Sequence, residues 1–230
     1  MRYFILTITF LIFLTSACTK NNLEFYIPKT STIKIDRSYF NKVWLKKNIK
    51  VDSSGLIIIQ SKFNREKLIL NIFLKIDSES KKIDLLAMDT FGIKLFLLSV
   101  SKENTKVTIF SPSLNPFFKK LKFICQYLKF IFSFPTTNLL NQGILKQKTI
   151  VFLQFKKHKQ YTEFYFDKTS KLLIKKKYVS KDNLWEVVYS NFCSKNGIYI
   201  PKKIKFKDKL KKIFITIQLA QINIYENCSK

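Results

Sequence analysis

Lys67 to Val100 read KLILNIFLKIDSESKKIDLLAMDTFGIKLFLLSV, and the spacing of apolar residues in this stretch decides the fold class. Leu68, Leu70, Ile72, Leu74 and Ile76 recur at every second position, while Asn71 and Lys75 fall between them. That period belongs to a strand with one face in a core and the other toward water. Ile83–Met88 and Ile93–Ser101 pair across Asp89-Thr90-Phe91-Gly92, and Thr105–Phe110 closes the run. Upstream, Leu56–Phe63 joins Lys67–Ile76 through Asn64-Arg65-Glu66, a hairpin-length connection. Strands joined by turns this short are antiparallel, and a run of them can curl into a barrel.

Working outward, Pro112 and Pro116 break the strand pattern. From Phe117, Leu121, Ile124, Leu128 and Ile131 fall at helical spacing, with Lys119, Lys120, Lys122 and Lys129 largely elsewhere, so an amphipathic helix runs to just before Pro135. A second short helix is predicted from Asn138 to Leu145. Six strands then follow near Thr149–Phe155, Tyr161–Phe166, Leu172–Val179, Leu184–Asn191, Ile198–Phe206 and Ile213–Ile224, with turns at Asp167-Lys168-Thr169-Ser170 and Lys195-Asn196-Gly197. Before the first strand, Asp36 is placed to cap a helix carrying Tyr39, Phe40, Val43, Trp44 and Lys47. The total is about eleven strands with helical material at the start and in the middle.

Composition removes several function classes. The four glycines are Gly55, Gly92, Gly143 and Gly197, too far apart for any phosphate-cradling loop. No G-x-S-x-G occurs, acidic residues are sparse, and the single histidine, His158, stands among Lys156, Lys157 and Lys159. Neither a nucleotide enzyme, a hydrolase nor a metal site is therefore expected, and no cofactor. The 42 Lys plus Arg against 15 Asp plus Glu give a formal charge of +27, but only Arg2, Arg37 and Arg65 are arginines. Base-edge and bidentate phosphate recognition favours Arg, which argues against nucleic acid as a partner.

The first residues are an export signal. Arg2 is a short positive region, and Tyr3–Leu14 form an apolar run too short to span a bilayer. Leu14-Thr15-Ser16-Ala17-Cys18 resembles a bacterial lipobox, in which Cys18 becomes the lipidated N-terminus; Leu stands one place early and Thr15 takes its usual position. On this reading residues 1–17 are a signal peptide, 18–34 a lipidated start and polar tether, and 35–230 one folded domain. More than one acyl chain on Cys18 gives stable membrane anchoring. Thr19 follows, not the Asp associated with inner-membrane retention, so the resemblance implies the outer membrane. Cys125, Cys193 and Cys228 then face an oxidising compartment; a Cys193–Cys228 disulfide and three unpaired thiols are both open.

The order of these parts resembles the outer-membrane lipoprotein-sorting family, LolA and LolB, and the lipidated LolB most closely. Leu85–Leu95, LLAMDTFGIKL, looks like the family's hairpin with an apolar-plus-Gly tip. Gln126–Pro135 looks like its lid helix, and Trp185–Ser190 with Gly197–Ile204 resembles the closing strands. The resemblance implies an unclosed antiparallel β-barrel of about eleven strands, with a helical insertion at about 115–145 as lid, enclosing a hydrophobic cavity for acyl chains. It implies no catalysis, a monomer, a membrane-anchored location on the periplasmic face of the outer membrane, and acylated lipoproteins or another lipid ligand as cargo, delivered by a periplasmic carrier protein. Cavity candidates are Leu68, Leu70, Ile72, Leu74, Leu128, Ile131, Ile215 and Ile217. Phe91 stands at the hairpin tip, where in the family an apolar residue enters the bilayer. A structural lipoprotein, or a carrier of a different lipid or pigment on the same fold, stays open as the alternative.

The charge also acquires a place. In Lys203-Ile204-Lys205-Phe206-Lys207-Asp208-Lys209-Leu210-Lys211 the odd positions are all lysine. One strand face is thus expected to be a cationic stripe, set either by AT-rich genomic bias or by attraction to anionic lipid headgroups.

Overall fold

The computed structural model describes residues 32–33, 39, 49–61, 67–133, 143–146, 148–156, 160–195 and 197–226, all within one compact unit, Ser31–Lys230. The signal peptide, Cys18, the helix expected around Tyr39 apart from Tyr39 itself, the Asn64–Glu66 turn, His158 and Cys228 lie outside the described residues.

Among the described residues, thirteen strands form one antiparallel sheet. They are β1 (Thr32–Ile33), β2 (Ile49–Ser61), β3 (Lys67–Asp77), β4 (Lys82–Met88), β5 (Lys94–Val100), β6 (Thr105–Ile109), β7 (Gly143–Lys146), β8 (Thr149–Lys156), β9 (Gln160–Asp167), β10 (Leu173–Val179), β11 (Leu184–Lys195), β12 (Ile198–Asp208) and β13 (Ile213–Glu226). Their order is β1-β7-β8-β9-β10-β11-β12-β13-β2-β3-β4-β5-β6, so two meanders meet where β13 pairs with β2, and β1 and β6 are left as separate edges. Between the meanders, a 3-10 helix (Pro112–Phe117) leads into α1 (Phe118–Ile131). The unclosed, mainly β architecture with a helical lid is therefore present.

All eleven strands read from the sequence are found, some lengthened and some, such as β5 and β6, shortened at their ends; β2 begins at Ile49, ahead of the expected Leu56. Gly55 hides this continuity in the sequence. A Cβ there would stand 2.0 Å from the Gln218 backbone oxygen, beside the bulge between Leu219 and Gln221 of β13. Only glycine allows that approach.

Two further strands correct the sequence reading. Residues 143–145, predicted as the end of a second short helix, belong to β7, which pairs with β8 and β1. An apolar run this short carries no period that separates helix from strand. Thr32 and Ile33, assigned to the tether, pair with Ile144 and Gly143 and so belong to the sheet.

Three hairpin turns share one design. Asp77, Asp167 and Asp208 each end a strand, and their Oδ1 atoms accept backbone N–H groups two or three residues on. Lys81, Lys171 and Lys212 then close the turns with φ of 53°, 60° and 52°. The aspartate cap supplies the turn hydrogen bonds. The core lies on the concave face, where the inward residues of β2–β5 and β11–β13 meet α1 and the aromatic cluster of Tyr39, Phe152 and Phe166.

Candidate functional site

The concave face and the helix across it form the candidate site. Alternation puts Leu70, Ile72 and Leu74 of β3 and Ile215 and Ile217 of β13 inward, and the helical period puts Leu121, Ile124, Leu128 and Ile131 of α1 against them. Seven of the eight cavity candidates lie in this one buried cluster. Leu68 does not join them: it is on the inward face, but at the strand end, and 45% exposed. Lys122, Gln126 and Lys129 face away from the core, as amphipathic spacing requires. The helix touches β5 and β6 on one side of the sheet.

On the other side α1 is tied down by two buried polar clasps. Asp208, fully buried at the end of β12, accepts Tyr127 Oη and Trp185 Nε1 at 3.0 Å each on Oδ2, and Leu210 and Lys211 backbone N–H at 3.1 and 2.9 Å on Oδ1. One carboxylate thus joins helix, strand β11 and the β12–β13 turn. Burial first, and the Asp208 charge second, hold the Tyr127 hydroxyl well above its ordinary range. The second clasp is Lys176 of β10, fully buried, whose Nζ donates to the carbonyls of Phe130, Ile131 (2.9 Å) and Ser133 (2.9 Å). Tyr189 Oη also donates to the Ile131 carbonyl. These groups satisfy carbonyls at the helix C-terminus, where the dipole favours a cation. Burial nevertheless pushes the Lys176 ammonium well below the usual lysine range and the Tyr189 phenol well above the tyrosine range.

Neither clasp was legible as function in the sequence. Lys176 sits in the run Lys175-Lys176-Lys177, and simple alternation from Leu173 turns it outward. A bulge between Leu173 and Lys175 shifts the register and brings Leu173 and Lys176 to the same buried side. Asp208 was hidden within the lysine alternation.

The β4–β5 turn presents Phe91 as the sequence expects, 89% exposed, with Ile93 at 61%. The turn is held from behind. Asp89 Oδ1 accepts the N–H groups of Phe91 and Ile93 at 2.9 and 2.8 Å, and Asn71 Nδ2 donates to the Asp89 carbonyl at 2.9 Å. Gly92 adopts φ 83°, a left-handed position that suits glycine. An apolar tip is thereby displayed on a braced backbone.

The lysine stripe is shorter than expected. Lys203, Lys205 and Lys207 share the outer face of β12, with Ile204 and Phe206 buried behind them. At Asp208 the strand ends, so Lys209 and Lys211 belong to the turn. Lys209 pairs with Glu186 at 3.3 Å, Lys207 lies over the Phe214 ring, and Lys211 over that of Phe123. Cys125 is buried in α1 with its thiol pushed up to about 11 by burial, and Cys193 is an unpaired, half-buried thiol. Among the described residues no group of His, Cys, Asp and Glu is placed to hold a metal ion.

The fold has counterparts among solved structures. A LolA superfamily protein from Nitrosomonas europaea superposes with TM-score 0.54 at 10% identity, over 83% of this chain and 93% of that one. The fold resembles that of this LolA superfamily protein. A domain assigned to outer-membrane lipoprotein sorting, from Vibrio parahaemolyticus, matches equally well, with TM-score 0.54 and 10% identity over 84% and 92% of the two chains. No family model and no curated protein matches the chain by sequence. The LolA-like likeness is thus carried by backbone course and not by residue identity.

Proposed function

We propose that this protein is a lipid-anchored envelope protein, held by Cys18 on the periplasmic face of the outer membrane, that binds acyl chains between α1 and the concave face. In this reading it receives acylated lipoproteins, or another amphiphile, from a periplasmic carrier and inserts them into the membrane as a monomer without catalysis. The observation that carries the reading is an amphipathic helix laid across an apolar concave face in a LolA-like sheet. Parting helix from sheet would open an apolar surface suited to one ligand. The braced, exposed Phe91 supports a role as the element that enters the bilayer during delivery. Cargo moves by exchange toward the site of greater affinity, and no nucleotide is needed.

Mass spectrometry of the protein purified without detergent, together with depletion in cells and tracking of other lipoproteins, tests this. A bound acylated ligand and mislocalised lipoproteins are expected. An empty protein whose depletion leaves lipoproteins in place would overturn the reading in favour of a structural role.

A further inference from the structure

The two ends of the sheet differ in character. Register places the start of β3, the β4–β5 turn and the β12–β13 turn at one end, since Asn71 pairs with Met88 and Ser61 with Ile213. Leu68, Ile69, Phe91, Ile93 and Leu210 are all exposed there. Phe123 of α1 joins them, because Lys211 Nζ lies 4.4 Å from its ring centroid. Lys67, Lys94, Lys209 and Lys211 are exposed around these side chains, whereas the Asp89 carboxylate is taken up by the backbone of its own turn. At the opposite end the β3–β4 and β5–β6 turns expose Glu79, Ser80, Lys81, Lys102 and Glu103. Tyr225, the large exposed ring toward that end, lines a polar cavity of about 270 Å³ with Lys50, Asp52, Lys75, Asp77, Lys82 and Asp84.

We propose that the apolar, lysine-ringed end is a docking rim for an anionic phospholipid bilayer, formed by the start of β3 and the β4–β5 and β12–β13 turns together and not by Phe91 alone. The proposal extends the membrane-entering tip of the reading above and is independent of the cargo. Composition selects the occupant. Protein interfaces are enriched in Trp, Tyr and Arg and depleted in Lys. This rim has Phe, Ile and Leu at two turns and a strand end with Lys beside them, the make-up of surfaces that sink into the headgroup–acyl boundary. The lysine stems lie along apolar surface while their ammonium groups reach phosphates, as Lys211 already lies over Phe123. Docked in this way, the molecule stands with its strand ends toward the bilayer and its mixed-charge end away from it.

Tryptophan quenching by brominated lipid tests the orientation with the full chain on vesicles of phosphatidylcholine and phosphatidylglycerol. Ile69→Trp and Leu210→Trp should each add quenching several-fold greater than Ser80→Trp at the opposite end, and that excess should fall several-fold on phosphatidylcholine alone. Lysine acetylation footprinting of the unsubstituted chain gives the same information without variants: vesicles should shield Lys67, Lys94 and Lys211 but not Lys81 or Lys102. Equal quenching at all three positions, shielding indifferent to phosphatidylglycerol, or a lipid-free dimer that buries positions 69 and 210 would each overturn the proposal. Failure to find bound acyl cargo would leave these readouts unchanged, so the two readings fail separately.

Discussion

Asp208→Asn should loosen the lid helix at a cost that the geometry allows to be worked out. The carboxylate is fully buried and accepts from Tyr127 and Trp185 on one oxygen and from two backbone N–H groups on the other. An amide keeps the shape but turns one acceptor into a donor. With its oxygen toward the turn, its NH₂ meets Tyr127, whose hydroxyl can reverse, and Trp185, whose N–H cannot. Trp185 is then a donor without an acceptor, which costs about 1–3 kcal/mol, and the remaining bonds lose their charge assistance at about 1 kcal/mol each. Relief of carboxylate desolvation offsets part of this, leaving a net loss of about 3 kcal/mol. For a domain of this size that corresponds to a fall in Tm of about 6–12 °C. Thermal unfolding followed by near-ultraviolet circular dichroism, which reports Trp185, measures it, and hydrogen exchange should show the α1 amides opening first. Tyr127→Phe removes one donor and should cost about 1 kcal/mol; in its background Asp208→Asn should cost less than alone. A loss under about 1 kcal/mol, or additive effects in the cycle, would show that Asp208 does not fasten the helix.

Four other perturbations have defined outcomes. Phe91→Glu changes an exposed side chain, so stability should stay within about 0.5 kcal/mol while delivery of cargo to membranes fails; unchanged delivery in a vesicle transfer assay would remove the tip from the mechanism. Replacing Lys203, Lys205, Lys207, Lys209 and Lys211 with Gln should weaken binding to anionic vesicles at low salt, and equal binding would return the stripe to genomic composition. Gly55→Ala should cost about 3 kcal/mol in urea unfolding, because its Cβ meets the Gln218 backbone. Lys176 has a folded pKa below its unfolded one, so the unfolded chain holds the proton more tightly. Stability must then rise with pH from the folded value toward about 10.4. The wild type should gain on Lys176→Met between neutral pH and about pH 9.5 in paired urea titrations; parallel pH profiles would contradict a buried, destabilised ammonium.

The sequence alone determined whatever depends on local periodicity. Alternation of Leu70, Ile72 and Leu74 specified an inward strand face, the spacing of Leu121, Ile124, Leu128 and Ile131 specified a one-sided helix, and Asp89 with Gly92 marked a tight turn with Phe91 at its apex. These patterns are set by backbone geometry within a few residues, and the structure retains all of them. The ordering of two meanders around a helical insertion was enough to carry the resemblance to the lipoprotein-sorting fold. What only the tertiary structure decided depends on register and on contacts between distant segments. A bulge in β10 turned Lys176 inward and made it a clasp for carbonyls more than 40 residues away. The end of β12 at Asp208 converted a lysine stripe into a buried carboxylate followed by a turn. The meeting of β13 with β2 required Gly55 and brought Leu210, Ile69 and Phe91 to one end of the sheet. No single-residue pattern encodes such pairings, because each depends on which strand lies opposite and on how many residues separate the two along the chain.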